Sequence, residues 1–174
     1  AVVTPGFGTP GDDRARIGSN DDANSANTAV MVAGDEVWAL WEGGAALAMS
    51  ASDLSTKRFV TLRNDLKSMP FQAHPRYDPD GTIWNIGLNG DQAIVWRLNA
   101  DRSLHTAQVI DLPRASYMHD FTATARHLII VLQPWVFDHR GMPFSSQFAW
   151  RPEMGTQVLV IDKADLSRRR IYEL

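Results

Sequence analysis

The chain has 174 residues, 44% of them hydrophobic and 21% charged, a balance that suits about one globular domain. Its net charge of -3 and pI near 5.9 argue against the basic stripe that a nucleic-acid surface requires, so no nucleic-acid partner is expected. With no cysteine, disulfides and thiolate metal sites are excluded, and any transition metal must be held by His, Asp or Glu.

Residues 1–26 are rich in Gly, Pro, Asp, Asn and Ser without periodicity and read as an irregular lead-in; residues 27–174 carry the folded unit. The lead-in lacks the basic and apolar regions of a signal peptide, and no run approaches the roughly 18 apolar residues of a membrane span, so a cytoplasmic location is expected. Thr28 to Ala33 and Glu36 to Trp41 flank Gly34-Asp35, a two-residue hairpin signal. Ala45 to Leu54 is helical by composition, but Gly43-Gly44 in front of it favours a strand and turn. Asp80-Gly81 precedes the run Thr82 to Leu88, and Asn89-Gly90 separates that run from Ala93 to Leu98. Further strands are expected at Thr106 to Ile110, His127 to Leu132, Gln157 to Ile161 and Arg169 to Tyr172. Trp135, Val136, Phe137 and Phe144 fall in a loop-like stretch that either lines an apolar tunnel or caps a sheet.

A weak internal repeat runs through this pattern. LAMSASDLSTKRFV, VWRLNADRSLHTAQV and VIDKADLSRRRIYEL each place a turn aspartate (Asp53, Asp101 or Asp165) between an apolar strand and a second strand. The intervals are of the order of the roughly 40–50 residues of a propeller blade. The expectation is therefore an all-β fold, a partial β-propeller of about two to three blades. The start at Ala1 and the final strand-like run Arg170 to Leu174 lead us to expect an excerpt of a longer chain.

Five histidines are present: His74, His105, His119, His127 and His139. None forms an H-x-x-x-H or H-E-x-x-H pair, so no single helix presents a chelate. A propeller would instead supply one imidazole per blade toward its axis. His74 and His119 have that spacing and apolar or aromatic neighbours; the other three look more solvent-facing. On spacing alone, a hydrogen-bonded core residue is the commoner reading of each histidine.

The contexts of the two histidines add more. Ala73-His74-Pro75-Arg76-Tyr77-Asp78-Pro79 resembles the first iron-ligand segment of the carotenoid cleavage oxygenase family, and Met118-His119-Asp120-Phe121-Thr122-Ala123-Thr124 resembles the second. Asn27-Thr28-Ala29-Val30 with Leu40-Trp41-Glu42-Gly43-Gly44 is similar to an earlier segment of that family. Trp150-Arg151-Pro152 with Gly155-Thr156 is similar to a later one.

This resemblance implies a seven-bladed β-propeller with Fe(II) held on its axis by four histidines. Its first two metal ligands fall on His74 and His119. Glu42 falls on a carboxylate that accepts a hydrogen bond from a ligating imidazole, and Thr28 on a residue near the open iron position. Read without the family, Glu42 is a strand-end charge and Thr28 a β-branched strand residue.

The implied reaction is cleavage of a conjugated C=C bond of a carotenoid or apocarotenoid with O2 to give carbonyl products. The substrate would be an apolar polyene, and peripheral membrane contact is an expectation for the full-length parent. Cleavage of a stilbene is the alternative within the family. Stilbene-cleaving members typically carry Lys where this chain has Trp41, which favours the polyene. A non-catalytic propeller used as a binding module is the alternative outside it. The third and fourth histidine ligands have no counterpart here, so the chain by itself is expected to be inactive.

Overall fold

The computed structural model describes residues 18–139 and 144–174. Most of the expected lead-in, residues 1–17, lies outside the described residues; within the rest of it, Asn20–Ala23 form a short 3-10 helix.

Three four-stranded antiparallel sheets follow one another along the chain. The first contains β1 (Ala29–Ala33), β2 (Glu36–Leu40), β3 (Leu47–Ser50) and β4 (Thr56–Phe59), paired in chain order. The second contains β5 (Arg76–Tyr77), β6 (Ile83–Asn89), β7 (Gln92–Leu98) and β8 (Leu104–Asp111), again in order. The third starts with β9 (Thr122–Ala123) and β10 (His127–Leu132). The chain then makes a two-stranded excursion, β11 (Trp135–Phe137) and β12 (Phe148–Trp150), before β13 (Gln157–Asp162) and β14 (Arg169–Glu173) complete the sheet. Each sheet is a meander, which is the repeating unit of a propeller blade. No helix among the described residues is long and apolar enough to cross a membrane.

The stretch Ala45 to Leu54 is β3 and a turn, as Gly43-Gly44 suggested. One expected turn is displaced. Asn89 pairs with Gln92, so the two-residue hairpin loop is Gly90-Asp91 rather than Asn89-Gly90. Gly90 supplies the positive φ of +66° that this tight loop needs.

The middle sheet explains why β7 is apolar on both faces. Ala93 and Val95 face a core shared with Leu128, Ile130, Leu132, Leu159 and Ile161 of the third sheet. Ile94, Trp96 and Leu98 face the opposite core, shared with Met31, Trp38, Leu40 and Ala48 of the first. A sheet covered on both sides loses the apolar-polar alternation of an exposed one. Each fully buried Leu or Ile contributes about 1.5–3 kcal/mol through apolar area removed from water.

The expected repeat has a structural counterpart. Asp53, Asp101 and Asp165 each occupy the hairpin between the third and fourth strands of their sheet. In all three, an aspartate oxygen accepts bonds from the backbone N–H and the hydroxyl of the serine two residues later. Those serine bonds hold each carboxyl below the ordinary aspartate range.

Candidate metal centre

Thr28 immediately precedes β1 and Glu42 lies in the turn after β2; because these strands are antiparallel, the two residues meet at one end of the first sheet. His74 precedes β5, the first strand of the second sheet, and His119 precedes β9, the first strand of the third. The fold thus delivers one side chain or more from each of the three sheets to one place.

Nε2 of His74 lies 3.1 Å from Nε2 of His119, with the ring centroids 4.8 Å apart and the planes at 68°. On the other side of the His119 ring, Nδ1 is 2.5 Å from Oε1 of Glu42, whose side chain is only 9% exposed. A carboxylate accepting from Nδ1–H leaves Nε2 with its lone pair directed away, toward His74. The hydroxyl of Thr28 lies 3.4 Å from Oε2 of Glu42 and 3.3 Å from Asn27 Oδ1 and can donate its one proton to either, so it reaches the site through the carboxylate.

The donor set suits a divalent transition ion. Two nitrogens each about 2.1 Å from one ion, at right angles, are separated by about 3.0 Å, close to the 3.1 Å between these imidazoles. Among the described residues, Glu42, His74 and His119 are the one group of metal-binding side chains close enough to share an ion, with ligand atoms within 4.8 Å. Glu42 is bonded to Nδ1, the nitrogen opposite Nε2, an arrangement suited to orienting the ring. His119 is 54% exposed, and the pair is open on one side.

The remaining histidines stand elsewhere. His105 lies on β8 beside Asn99, His127 opens β10 and is half-buried, and His139 bonds Asp138 at 3.2 Å.

The residues around the two histidine loops include several to which the sequence reading gave no role. The segment before His74 crosses β6 where Gly87 leaves room; a Cβ there would sit 1.8 Å from the Pro70 carbonyl oxygen. Asn85 of β6, fully buried, takes both backbone groups of Gln72, accepting its N–H at 2.8 Å and donating to its carbonyl at 2.7 Å. Gln72 in turn donates to the carbonyl of Met118 at 3.0 Å. Arg76 donates to Phe121 O at 2.8 Å and to both carboxylate oxygens of Asp120 at 2.6 and 2.7 Å. Lower on the same seam, Lys163 meets Asp78 at 2.6 Å, and Asp78 also accepts from the indole of Trp84. The bonds from Gln72 and Arg76 to the His119 loop join residues 44–46 positions apart, and that from Lys163 to Asp78 spans 85, so they leave no local signal in the sequence.

An aromatic cluster adjoins the site. The ring of Tyr117, two residues before His119, lies 4.7 Å from Trp135 and 5.3 Å from Phe148, both edge-on. Phe137 packs on Phe148 at 6.0 Å. Burial, followed by the charge of Glu42, pushes the Tyr117 phenol up to about 12. The stretch read as loop is therefore ordered: Trp135, Val136 and Phe137 form β11, paired to β12. Three-residue strands are too short to display alternation. The side chain of Phe144 lies outside the described residues.

Among proteins of known identity, the chain is 35% identical over 114 aligned residues to the mitochondrial carotenoid-cleaving dioxygenase of Mustela putorius furo, covering 52% of this chain and 21% of that protein. It is 29% identical over 172 residues to the apocarotenoid-15,15'-oxygenase of Synechocystis, covering 85% of this chain and 34% of that one. The solved structure of cobalt-substituted Synechocystis ACO matches with a TM-score of 0.72 at 22% identity, over 87% of this chain and 35% of its own. The lignostilbene dioxygenase of Pseudomonas brassicacearum matches at TM-score 0.74 and 25% identity, over 87% and 33%. The chain thus spans about a fifth to a third of the length of these relatives. The sequence family described as Retinal pigment epithelial membrane protein matches residues 2–173, and the chain belongs to that family.

Proposed function

We infer that this chain is the part of a non-haem Fe(II) dioxygenase that supplies two imidazole ligands and one orienting carboxylate. The enzyme would cleave a conjugated C=C bond of a carotenoid or apocarotenoid with O2, giving carbonyl products. The observation that carries this reading is the approach of His74 and His119 to 3.1 Å, with Glu42 bonded behind one ring. The three sheets would be consecutive blades of a seven-bladed ring, whose other blades would bring further histidines and cover the open side of the pair.

The roles follow from residue chemistry. His74 and His119 would hold the ion through Nε2, and neutral imidazoles suit a borderline metal such as Fe(II). The bound iron would supply the capacity to activate O2. Glu42 keeps the proton of His119 on Nδ1, so that its Nε2 stays a donor to metal. Thr28 holds the second oxygen of Glu42 and so limits rotation of that carboxylate. A polyene offers no ligand atom, so an apolar wall must place its double bond, and the rings of Tyr117, Trp135 and Phe148 would provide part of that wall. With only two of the ligands, this chain alone is expected to be inactive.

A stilbene substrate is the second reading, favoured by the likeness to the lignostilbene dioxygenase. Buried, apolar Trp41, where stilbene cleavers typically carry Lys, weighs against it. The test is an assay of the full-length protein against β-apocarotenals and resveratrol-type stilbenes, with iron measured after anaerobic purification. Cleavage of the apocarotenal by iron-loaded protein is expected. An iron-free protein inert toward both would leave a binding module instead.

A further inference from the structure

The two histidine loops are joined by a symmetrical pattern of bonds. Gln72 lies two residues before His74 and Arg76 two residues after it. Gln72 donates to Met118, the residue just before His119. Arg76 grips Asp120 and Phe121, the two residues just after it. Each imidazole is thus bracketed by contacts to the loop carrying the other.

We propose that Gln72 and Arg76 form a two-point brace across the seam between the second and third sheets, and that this brace sets the separation of the His74 and His119 imidazoles. The proposal rests on reading those imidazoles as ligands and names positioning residues for them; neither brace residue touches the ion or substrate.

Three observations argue for positioning over general stabilisation. First, Gln72 is 1% exposed, yet its side-chain oxygen has no hydrogen-bond partner among the described residues. A buried orphan acceptor is costly, and an apolar side chain would fill the same space without it. Among the described residues the amide makes one bond, to the His119 loop. Second, Asn85 anchors Gln72 by both its backbone groups, so the donor projects from a fixed base on β6. Third, Arg76 uses its Nε and one terminal nitrogen on different acceptors of two successive residues, which fixes the direction of that loop as well as its distance. The Arg76–Asp120 pair is 36% and 41% exposed, so its contribution to folding is small and its geometry matters more.

Two readings on the 174-residue chain test this. Without metal, NMR should show a cross-peak between the Hε1 protons of His74 and His119 in the wild type, lost in Gln72→Met and in Arg76→Gln. With Co(II) as the probe, each variant should bind about tenfold more weakly, the usual cost of disturbing the partners of a metal ligand. Arg76→Lys, which keeps the charge and one donor, should fall between wild type and Arg76→Gln. Arg63→Gln is the control, because Arg63 bonds the Ala107 carbonyl away from the pair and should leave both readings unchanged. Thermal midpoints of the brace variants should stay close to wild type.

A cross-peak that persists at full strength in both variants would overturn the brace, whatever the metal does. An intact wild-type cross-peak that the variants lose, combined with no Co(II) binding, would sustain the brace and sink the iron reading alone.

Discussion

The two ends of the sheets are built by opposite means. At the ends carrying Asp53, Asp101 and Asp165, each turn is closed by its aspartate bonding the serine two residues on, and Arg102 of the second turn also reaches the Val32 carbonyl. At the ends carrying Glu42, His74 and His119, the bonds span tens of residues and cross between sheets. A self-contained turn can be altered with local consequences. The histidine ends form one network, in which disturbing a neighbour is expected to move a histidine without touching it.

This comparison can be broken most severely at Gly87. Gly87→Ala places a methyl 1.8 Å from the Pro70 carbonyl oxygen, backbone against backbone. A loss of at least about 3 kcal/mol in urea unfolding is expected, as for severe overpacking, along with displacement of the His74 loop. Lys163→Met comes next. It leaves Asp78 without its ammonium partner, which is only 7% exposed, and should cost about 2 kcal/mol, less than a fully buried pair because Asp78 is 23% exposed. Glu42→Gln should leave stability nearly unchanged while weakening metal binding about tenfold, measured by Co(II) titration.

The smaller effects belong to the surface and the turn ends. Arg58 and the Trp38 indole beside Glu36 lower its carboxyl to about 2 from an ordinary 4.5. A lowered folded-state value means that its contribution is complete above about pH 4.5 and is lost as pH falls through about 2. Glu36→Gln should therefore flatten part of the acid limb of a stability profile between those values. Asp101→Ala should be the mildest change, shifting the thermal midpoint by about 2 °C or less and leaving metal affinity untouched.

The same division explains what was legible in the amino-acid sequence. The strands of seven or eight residues, the Asp turns and the all-β class rest on local pattern, and each had a visible signal. His74 and His119 stood out through their neighbours and blade-length spacing; their meeting required the structure. Exposure would have misled, since His119 at 54% and His139 at 58% are nearly alike. Gln72, Asn85 and Arg76 were hidden for a physical reason: their bonds run to or from irregular loops 13 to 46 residues away, and such bonds impose no periodicity. The strands β5, β9, β11 and β12 were missed because two or three residues cannot show alternation.

The central claim is that His74 and His119, from neighbouring sheets, converge on one ion. Its most direct test is an anaerobic titration of the chain with substoichiometric Fe(II), following the Hε1 resonances of all five histidines. Selective paramagnetic broadening of His74 and His119 together, with His105, His127 and His139 still sharp, is the result expected. Uniform broadening of all five, or broadening of one member of the pair without the other, would contradict it.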